Sequence, residues 1–369
     1  MKLLLIDSNA QALRELAARL LGLGCGDVIA CSSSVEAVRL VEAGVEPIGL
    51  IVCDLQREDG VAVISHLARL DYRGRIAIVR PACEHALNAA LAQAGHLDVV
   101  AALSRPVLDE ALAGLLAVGL RRAIAQGQLT NAYQPRVDVR TGAVTGVEAL
   151  VRWNHPTAGL LTSEEFLPTA ADRALMPQIA RVVLTRALDD AQRWRASGID
   201  LDIAVNVATA NLADPSFATM LVEQARARSV PLTRLRLEVP AAHVSANPLA
   251  RLTALHALHD SGVRLAVDEF GMSRTTLDQL HAFPYDELKI DRCFVHGAAH
   301  DPALRAIFEA SCGVARYLRM KVVALGVEDE DDWELVRGAC DAAQGHYVAA
   351  PMSGEAVPGW ITGWRSPEA

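Results

Sequence analysis

The distribution of apolar and polar residues along the chain predicts strands that alternate with helices. In the N-terminal third, short apolar runs predict buried strands at residues 3–6, 28–30, 50–53, 76–79 and 99–103. Apolar residues at three- and four-residue spacing predict intervening helices at residues 11–21, 34–43, 60–70 and 84–93. This alternation predicts a doubly wound parallel sheet, whose functional residues lie at the carboxyl ends of the strands.

The second part of the chain continues the alternation over a longer stretch. Predicted strands lie at residues 203–207, 235–239, 264–268, 287–290 and 321–325, and predicted helices at residues 176–196, 217–227, 249–261, 303–318 and 330–336. Before them, a strand pair that begins near Leu129 closes through a hairpin-type turn at residues 140–143. About 240 residues of this pattern fit a (β/α)8 barrel.

Residues 109–126 join the two regions with a helical pattern in place of a flexible linker. Apolar residues recur there at three- and four-residue spacing, at Leu112, Leu115, Leu116, Leu120 and Ile124. We therefore place the first domain at residues 1–122, including this connecting helix, and the second at residues 123–366. Two interpretations of the helix stay open: a joint that transmits rigid-body motion, or the passive last helix of the first domain.

Composition and charge disfavour several classes of protein. The 369 residues suit two domains, and a hydrophobic content of 51% provides apolar material for two cores. No apolar stretch reaches the ~18 residues that a membrane span needs, and the formal charge of −9 disfavours nucleic acid as a partner. No secretory signal pattern opens the chain, and the seven cysteines are scattered without a Cys-x-x-Cys pair. These features predict a cytoplasmic protein with reduced thiols.

Polar side chains recur at the ends of most predicted strands in the second domain. Seven fragments contain them, in this order: Glu148-Ala149-Leu150-Val151-Arg152-Trp153, Val205-Asn206-Val207, Leu237-Glu238-Val239, Val267-Asp268-Glu269-Phe270-Gly271, Leu288-Lys289-Ile290-Asp291, Ala324-Leu325-Gly326-Val327-Glu328 and Gln344-Gly345. The carboxyl ends of barrel strands form one rim, so these groups are expected to meet there. Carboxylate and amide oxygens suit Mg²⁺ or Mn²⁺, and such ions in turn hold phosphate groups.

In this order, the fragments resemble the EAL family, whose members are phosphodiesterases and receptors of cyclic di-GMP. The resemblance covers roughly the last two-thirds of the chain. It implies a TIM-type barrel with one strand reversed, and two Mg²⁺ or Mn²⁺ ions that hold the phosphodiester and activate a water molecule. It places the first ion on four residues that this chain retains: Glu148, Asn206, Glu238 and Asp268.

The second ion site departs from the family pattern. The resemblance assigns it Asp268 together with an aspartate and a glutamate, which here are Glu269 and Leu325. The Glu269 carboxylate is one methylene longer than the family's aspartate, and Leu325 brings no oxygen to the general-base position. The following loop also departs from the pattern, with Met272-Ser273-Arg274 after Gly271. We therefore expect a complete first ion site and an impaired second one.

Other positions match the family pattern. The resemblance implies that Lys289 orients the attacking water and that Glu328 also belongs to the catalytic group. It implies contacts with the bases and phosphates of the ligand from Gln134, Leu150, Arg152, Asp291, Gln344 and Pro351. Arg152 suits a phosphate because a guanidinium can make two parallel charge-assisted hydrogen bonds.

The first domain resembles the receiver domain of response regulators, which has a flavodoxin-like fold. The resemblance places the phosphoacceptor at Asp54, with Asp7 as a metal ligand and Arg105 in place of the usual lysine. Two further positions depart from the pattern, because Ser8 replaces a second acidic residue and Arg80 replaces a small hydroxyl residue. We therefore expect a receiver-like domain that is poorly phosphorylated.

Three functions are compatible with this sequence. The first is a receptor that binds cyclic di-GMP without efficient hydrolysis, and the second is an active phosphodiesterase that produces pGpG with two metal ions. The third is a nucleotide-independent interaction module that acts on a protein partner. Leu325 favours the first and third, whereas Gln134, Arg152 and Gln344 favour ligand binding. A homodimer through the EAL domain is compatible with each function.

Overall fold

The computed structural model of the protein describes residues 2–22, 25, 27–43, 48–54, 58–70, 72–79, 97–103, 107, 112, 119–156, 159–167, 175–241, 248–271 and 277–367. These residues belong to two compact units. The first comprises Met1–Thr130 and Arg152–Leu175, and the second comprises Asn131–Val151 and Met176–Ala369.

The first unit contains a five-stranded parallel sheet. Its strands are β1 (Lys2–Ile6), β2 (Asp27–Cys31), β3 (Ile48–Asp54), β4 (Arg75–Val79) and β5 (Asp98–Leu103), in the order β2-β1-β3-β4-β5. This is the strand order of flavodoxin-like doubly wound folds, and all five strands lie where the apolar runs predict them. The helices are α1 (Ala10–Gly22), α2 (Ser34–Ala43) and α3 (Glu58–Arg69). The helix predicted at residues 84–93 lies outside the described residues.

Both faces of this sheet are apolar, because side chains alternate between the faces along each strand. Leu4 and Ile51 belong to one buried cluster, and their chain neighbours Leu5 and Val52 belong to the other. A sheet covered on both sides needs continuous apolar strands, which explains why these strands read as unbroken hydrophobic runs in the sequence.

An eight-stranded barrel lies mostly in the second unit, and residues 129–130 and 152–155 of its strands belong to the first unit. Its strands are β6 (Leu129–Asp138), β7 (Val144–His155), β9 (Asp202–Asn206), β10 (Leu235–Pro240), β11 (Arg264–Phe270), β12 (Glu287–Ile290), β13 (Lys321–Leu325) and β14 (Ala342–Gln344). They pair in the order β6-β14-β13-β12-β11-β10-β9-β7, and the β6–β7 pairing closes the ring. Strand β6 pairs antiparallel with β14, so the reversed strand that the resemblance implies is present.

Two short strands extend the barrel sheet. Strand β8 (Gly159–Thr162) pairs with the end of β7, and β15 (Met352–Ser353) pairs with β6. The predicted hairpin joins β6 to β7, and the Asp138 carboxylate accepts hydrogen bonds from the amides of Arg140 and Thr141 in its turn. Gly142 closes the turn with a positive φ of 68°, a conformation that glycine adopts without strain.

Helices follow most strands of the barrel. They are α4 (Ser163–Phe166), α5 (Leu175–Ala196), α6 (Thr209–Leu212), α7 (Pro215–Ala227), α8 (Pro248–Asp260), α9 (Leu277–Ala282), α10 (Arg292–Val295), α11 (Pro302–Tyr317), α12 (Glu330–Arg337) and α13 (Val357–Gly363). Local sequence sets where they begin: at α11, the Asp301 carboxylate accepts from the amides of Ala303 and Leu304, and Pro302 occupies the first turn. Among the described helices, none is both long enough and apolar enough to cross a membrane.

A buried network of charges fills the amino-terminal end of the barrel. Arg136 on β6 lies 2.7 Å from Glu287 at the start of β12, and Arg236 on β10 lies 2.8 Å from the same carboxylate. Asp202, which begins β9, lies within 3.8 Å of Arg136 and 3.4 Å of Arg236. Buried charges persist only when they are paired, so this end of the barrel is closed by a matched set of ions.

Candidate functional site

Polar residues of five neighbouring parallel barrel strands meet in one cluster; four of them lie within two residues of a strand's carboxyl end, and Glu148 lies inside its strand beside Ala204. In the barrel order, β7 contributes Glu148, β9 contributes Asn206, β10 contributes Glu238, β11 contributes Asp268 and β12 contributes Lys289. The register pairs Asn206 directly with Glu238. Parallel strands bring their carboxyl ends to the same rim, which is why residues spread over about 140 positions come together.

Lys289 is the centre of this cluster. Its Nζ donates hydrogen bonds to Glu148 Oε2 at 3.0 Å and Glu238 Oε2 at 2.5 Å, and it lies 3.6 Å from Asp268 Oδ1. The Lys289 side chain is only 2% exposed, so water contributes little to solvating its charge. The three carboxylates therefore provide the compensation that a buried ammonium requires.

Two amide side chains complete the contacts of Glu148. Asn206 Nδ2 donates to Glu148 Oε1 at 2.7 Å, and Gln344 Nε2 donates to Glu148 Oε2 at 2.8 Å. Gln344 Nε2 also donates to Gln134 Oε1 at 3.1 Å, and Gln134 Nε2 donates to the carbonyl of Ala349 at 3.1 Å. The predicted ligand-contact residues Gln134 and Gln344 are thus joined to the predicted metal ligands by one hydrogen-bond network.

The pKa values within this cluster move in opposite directions. Burial would raise the pKa of Glu148, but the Lys289 ammonium and the hydrogen bonds from Gln344 and Asn206 lower it to about 2. Burial and then the neighbouring Glu148 charge raise the pKa of Glu238 well above its usual range. The pKa of Lys289 is also raised, because the three carboxylates outweigh the effect of burial. Glu148 is therefore held as a carboxylate, and Glu238 retains a proton more tightly.

The cluster has the chemistry of a divalent-ion site. Its carboxylate and amide oxygens are the hard ligands that Mg²⁺ and Mn²⁺ prefer. Three carboxylates surround one ammonium, which leaves two formal negative charges to be compensated. Asn206 uses its Nδ2 for Glu148, so its Oδ1 is the atom suited to a metal. The four predicted ligands of the first ion therefore fit that ion.

The residues predicted for the second ion are arranged differently. Glu269 is exposed, and its backbone has a positive φ of 55°. The register between β11 and β12 shifts between Val267 and Phe270, so Glu269 lies in a β-bulge. Aspartate and asparagine tolerate positive φ better than longer side chains, so a glutamate is less suited to this position than the family's aspartate.

Leu325 ends β13 and pairs in register with Gln344, next to the first ion site. It is half-buried and has no atom that could bind a metal or accept a proton. The structure thus places the residue at the rim position that the sequence indicates, and its side chain is inert there.

Glu328 lies among charged residues that the sequence did not identify. Its carboxylate is 3.4 Å from Arg292 Nε and 3.2 Å from His346 Nδ1. The Arg292 stem covers Gly326, where an added Cβ would be only 2.2 Å from it. Gly326 also has a φ of 65°, so both conformation and space require glycine here. In the sequence, Arg292 directly follows Lys289-Ile290-Asp291, and this position is a signal that could have identified it as a residue near the site.

Asp332 connects the loops beside Glu328. The side chain is 1% exposed and accepts hydrogen bonds from the amides of Gly297 and Glu328 and from His296 Nδ1. Among the described residues, His296, Asp329 and Asp332 form a group whose spacing would allow a metal ion. Side-chain atoms of all three residues already take part in hydrogen bonds within the protein. These hydrogen bonds account for the loop conformation without a metal ion.

The remaining predicted ligand contacts lie on or beside the same strands. Leu150 and Arg152 follow Glu148 on β7, and Arg152 pairs in register with Thr162 on β8. Burial lowers the pKa of Arg152, although Glu164 and Glu165 oppose this change.

Pro351 and Asp291 stand at the boundaries of other elements. Pro351 immediately precedes β15. The Asp291 carboxylate caps helix α10 by accepting from the amide of Cys293 at 2.9 Å. The ligand contacts assigned to both residues stay predictions.

In the first unit, Asp7 follows β1, and Asp54 is the last residue of the neighbouring strand β3. Ile6 and Cys53 are register partners in β1 and β3, so the next residues, Asp7 and Asp54, lie at the same edge of the sheet. Asp7 Oδ1 accepts from the Asn9 amide at 2.7 Å. Arg80 and Arg105 lie outside the described residues, as does the loop Met272-Ser273-Arg274 of the second unit.

Comparison with known proteins agrees with this geometry. The sequence model of the EAL domain family matches residues 117–351. A cyclic di-GMP phosphodiesterase of Pseudomonas aeruginosa is 33% identical over 260 residues, which are 69% of this chain and 44% of that protein. The bifunctional diguanylate cyclase/cyclic di-GMP phosphodiesterase MucR of the same organism is 37% identical over 238 residues, 64% of this chain and 35% of MucR. The chain thus matches less than half the length of these relatives.

A solved structure shows the same fold. The complex of the P. aeruginosa MucR phosphodiesterase with cyclic di-GMP superposes with a TM-score of 0.62 at 36% identity, covering 66% of this chain and 99% of that one. The family match spans well over half of the chain, and its residues include the cluster around Lys289. The chain belongs to the EAL domain family.

Proposed function

We propose that this protein binds cyclic di-GMP at the barrel cluster without efficient hydrolysis. The relatives named above are cyclic di-GMP phosphodiesterases, and the related MucR structure contains this ligand. The residues predicted to contact the ligand, Gln134 and Gln344, are already positioned by hydrogen bonds to the Glu148 cluster. Binding through such preformed contacts loses little conformational entropy.

The observation that carries this proposal is Leu325 at the end of β13. Two-metal hydrolysis of a phosphodiester uses ions about 3.5–4 Å apart to stabilise the attacking and leaving oxygens. Without a carboxylate at position 325, and with Glu269 exposed on a bulge, the second ion has one intact ligand, Asp268. We expect turnover at least ~10³-fold below that of an intact relative, because the developing charge lacks its second cation.

The residues of the first ion site have separate roles in binding. Glu148, Asn206, Glu238 and Asp268 would hold one Mg²⁺ or Mn²⁺, which supplies positive charge to a bound phosphate. Lys289 keeps Glu148 ionised and oriented through its hydrogen bond. Gln344 donates to the same Glu148 oxygen as Lys289 and also donates to Gln134, which links Gln134 to the same network.

Phosphodiesterase activity is the second candidate, because one specific feature favours it. Glu269 retains a carboxylate beside Asp268, and the first ion site and Lys289 are complete. In this alternative the longer Glu269 side chain would reach the second ion, and water would be activated without a carboxylate at position 325.

One experiment on the full chain separates these functions. Cyclic di-GMP is first titrated into the protein in EDTA, and calorimetry measures binding. The protein is then incubated with cyclic di-GMP and Mg²⁺ or Mn²⁺, and chromatography separates the products. Binding without pGpG supports the proposal, whereas turnover on the order of 1 s⁻¹ supports the enzyme. If cyclic di-GMP does not bind at concentrations up to roughly 1 mM, which corresponds to a binding free energy near −4 kcal/mol, the remaining function is the nucleotide-independent interaction module.

A gain-of-function variant tests the role of Leu325 directly. Leu325→Glu combined with Glu269→Asp should produce pGpG in the presence of Mn²⁺, because both second-ion ligands are then present. The matched control is Leu325→Gln with Glu269→Asp, which has nearly the same shape but lacks the charge at position 325. If neither variant produces pGpG, the loss of activity is caused by another part of the site.

A further inference from the structure

A buried carboxylate joins two connections at the rim of the barrel. Asp332 lies in the first turn of α12, and its side chain is 1% exposed. Its Oδ1 accepts from the Gly297 amide at 3.1 Å, and its Oδ2 accepts from the Glu328 amide at 3.1 Å. Gly297 follows α10, whereas Glu328 lies in the rim segment, residues 326–332, which leads from β13 into α12. Asp332 therefore ties the rim segment to the connection after β12.

His296 is the cationic partner within reach of this carboxylate. Its Nδ1 lies 2.8 Å from Asp332 Oδ2 and 4.0 Å from Asp329 Oδ2. Acidic residues at the start of a helix complement the helix dipole, which accounts for the exposed Asp329. The dipole alone does not account for Asp332, because a buried carboxylate is costly unless it is hydrogen-bonded and paired with a cation. Protonated His296 provides that charge, and neutral His296 provides a hydrogen bond only.

The groups around His296 favour its protonated form. The hydrogen bond with Asp332 raises the pKa of His296, and the charges of Asp332 and Asp329 raise it further. Burial and the charge of Arg292, on α10, oppose this change but are outweighed. The proton on His296 and the contact with Asp332 therefore stabilise each other.

Two further histidines lie beside the rim segment, but their contacts face solvent. His300 Nε2 is 2.8 Å from Asp331 Oδ2, and both side chains are exposed. His346 Nδ1 is 3.2 Å from Glu328 Oε2, and the histidine side chain is again exposed. Water screens exposed ion pairs, so they contribute little. The contact of His296 with a buried carboxylate is therefore the one through which a proton acts most strongly on the segment.

We propose that His296 and Asp332 form a proton-dependent latch, which holds the rim segment more firmly when His296 is protonated. The pKa of His296 is higher in the folded protein than its ordinary value of 6.5. The stabilisation is therefore fully present below about pH 6.5 and is lost as pH rises through the higher folded value. The amides of Gly297 and Glu328 still hold Asp332 above that pH, so the segment is loosened but not released.

The latch acts on one wall of the candidate site. The rim segment follows directly after Leu325 and contains Gly326 and Glu328. Arg292 covers Gly326, and its Nε lies 3.4 Å from the Glu328 carboxylate, so movement of the segment displaces both contacts. Acidic conditions should thus fix this wall, and alkaline conditions should make it more mobile.

Amide hydrogen exchange of the full chain at about pH 5.5 and 8.5 tests the latch on both sides of the ordinary histidine pKa. Exchange rates are corrected for the intrinsic effect of pH on exchange. Protection of the rim segment should then be about fivefold lower at the higher pH, because a charge-assisted hydrogen bond is roughly twice as strong as a neutral one. Helix α7 provides an internal reference whose corrected protection should not change.

Two variants with the same substitution separate His296 from general effects of pH. His296→Gln keeps a side-chain donor but cannot carry a charge, so protection of the rim segment should become the same at both pH values. The control is His256→Gln, at an exposed histidine on α8, which should keep the wild-type pH dependence.

A histidine titration followed by NMR measures the coupling itself. The ring resonance of His296, assigned by its loss in His296→Gln, should titrate with a pKa above 6.5 in the wild type. In Asp332→Asn this pKa should fall toward 6.5, because the carboxylate charge is removed.

Either of two results would overturn the latch. One is equal corrected protection of the rim segment at both pH values in the wild type. The other is a His296→Gln variant that keeps the full wild-type pH dependence, which would assign the effect to other titrating groups.

Discussion

Removing the Lys289 ammonium should destabilise the barrel when no metal is present. The Lys289 Nζ lies within 3.6 Å of three carboxylate groups, and both it and Glu238 are almost fully buried. Methionine matches the length of the lysine stem but leaves these carboxylates without a cation. Breaking a buried ion pair by removing one partner typically costs about 3–5 kcal/mol of unfolding free energy. We expect Lys289→Met to fall in this range in EDTA at neutral pH.

The pH dependence of this loss follows from proton binding. Without the ammonium, the pKa values of the remaining carboxylates rise, so the folded variant binds more protons than the unfolded chain. Its stability should therefore decrease as pH rises from 5 to 8, relative to wild type at each pH. Mn²⁺ should restore part of the loss, because a divalent ion at the Glu148 cluster replaces the missing cation.

Denaturant unfolding followed by tryptophan fluorescence measures these differences. The control is Lys321→Met, an exposed lysine at the start of β13, which should change stability by no more than about 0.5 kcal/mol. A loss below about 1 kcal/mol for Lys289→Met in EDTA, or a loss that Mn²⁺ does not reduce, would refute the reasoning that Lys289 compensates the cluster.

Three further predictions concern the ligand, the metal and the first unit. Arg152→Ala should weaken cyclic di-GMP binding in EDTA by about 1.5–3 kcal/mol, with a smaller effect for Arg152→Lys, and equal affinity of wild type and Arg152→Ala in calorimetry would contradict a phosphate contact. Because the pKa of Glu238 is raised, Mn²⁺ binding should release a proton and tighten as pH rises; a pH-independent affinity between pH 6 and 8 would exclude this coupling. Acetyl phosphate should leave Asp54 largely unmodified in mass spectra, and stoichiometric phosphate that disappears in Asp54→Asn would show a working receiver site.

The strands and the rim position of the site could be predicted from the sequence for a simple physical reason. Buried parallel strands need continuous apolar residues, and their ends are marked by the first polar residue. The end of β1 at Ile6, directly before Asp7, therefore follows from local sequence. The order of the fragments then identified the family, which fixed the barrel and the reversed strand.

Contacts between distant side chains could not be predicted in this way. The position of the Arg292 stem over Gly326 depends on how elements pack, and local periodicity contains no information about that. The bulge at Glu269 is another example, because β11 continues through it to Phe270, past the predicted end at Asp268. Local sequence also failed to indicate that one lysine would bind three carboxylate groups.

The charged residues inside the barrel form two layers, which differ in how fully their charges are paired. In the lower layer, the buried guanidinium groups of Arg136 and Arg236 are each paired with Asp202 and Glu287. Strands β10 and β12 each contribute one residue to each layer. On β10 these residues are Arg236 and Glu238, and on β12 they are Glu287 and Lys289.

The upper layer, at the open rim, retains the formal negative excess. A cation that enters the barrel is therefore attracted to the rim, while the paired charges beneath contribute to holding the strands together. Substitutions at the rim positions 269 and 325 can consequently alter chemistry without disturbing the lower layer. Protein engineers could use this separation to vary the rim extensively in a chain that still folds.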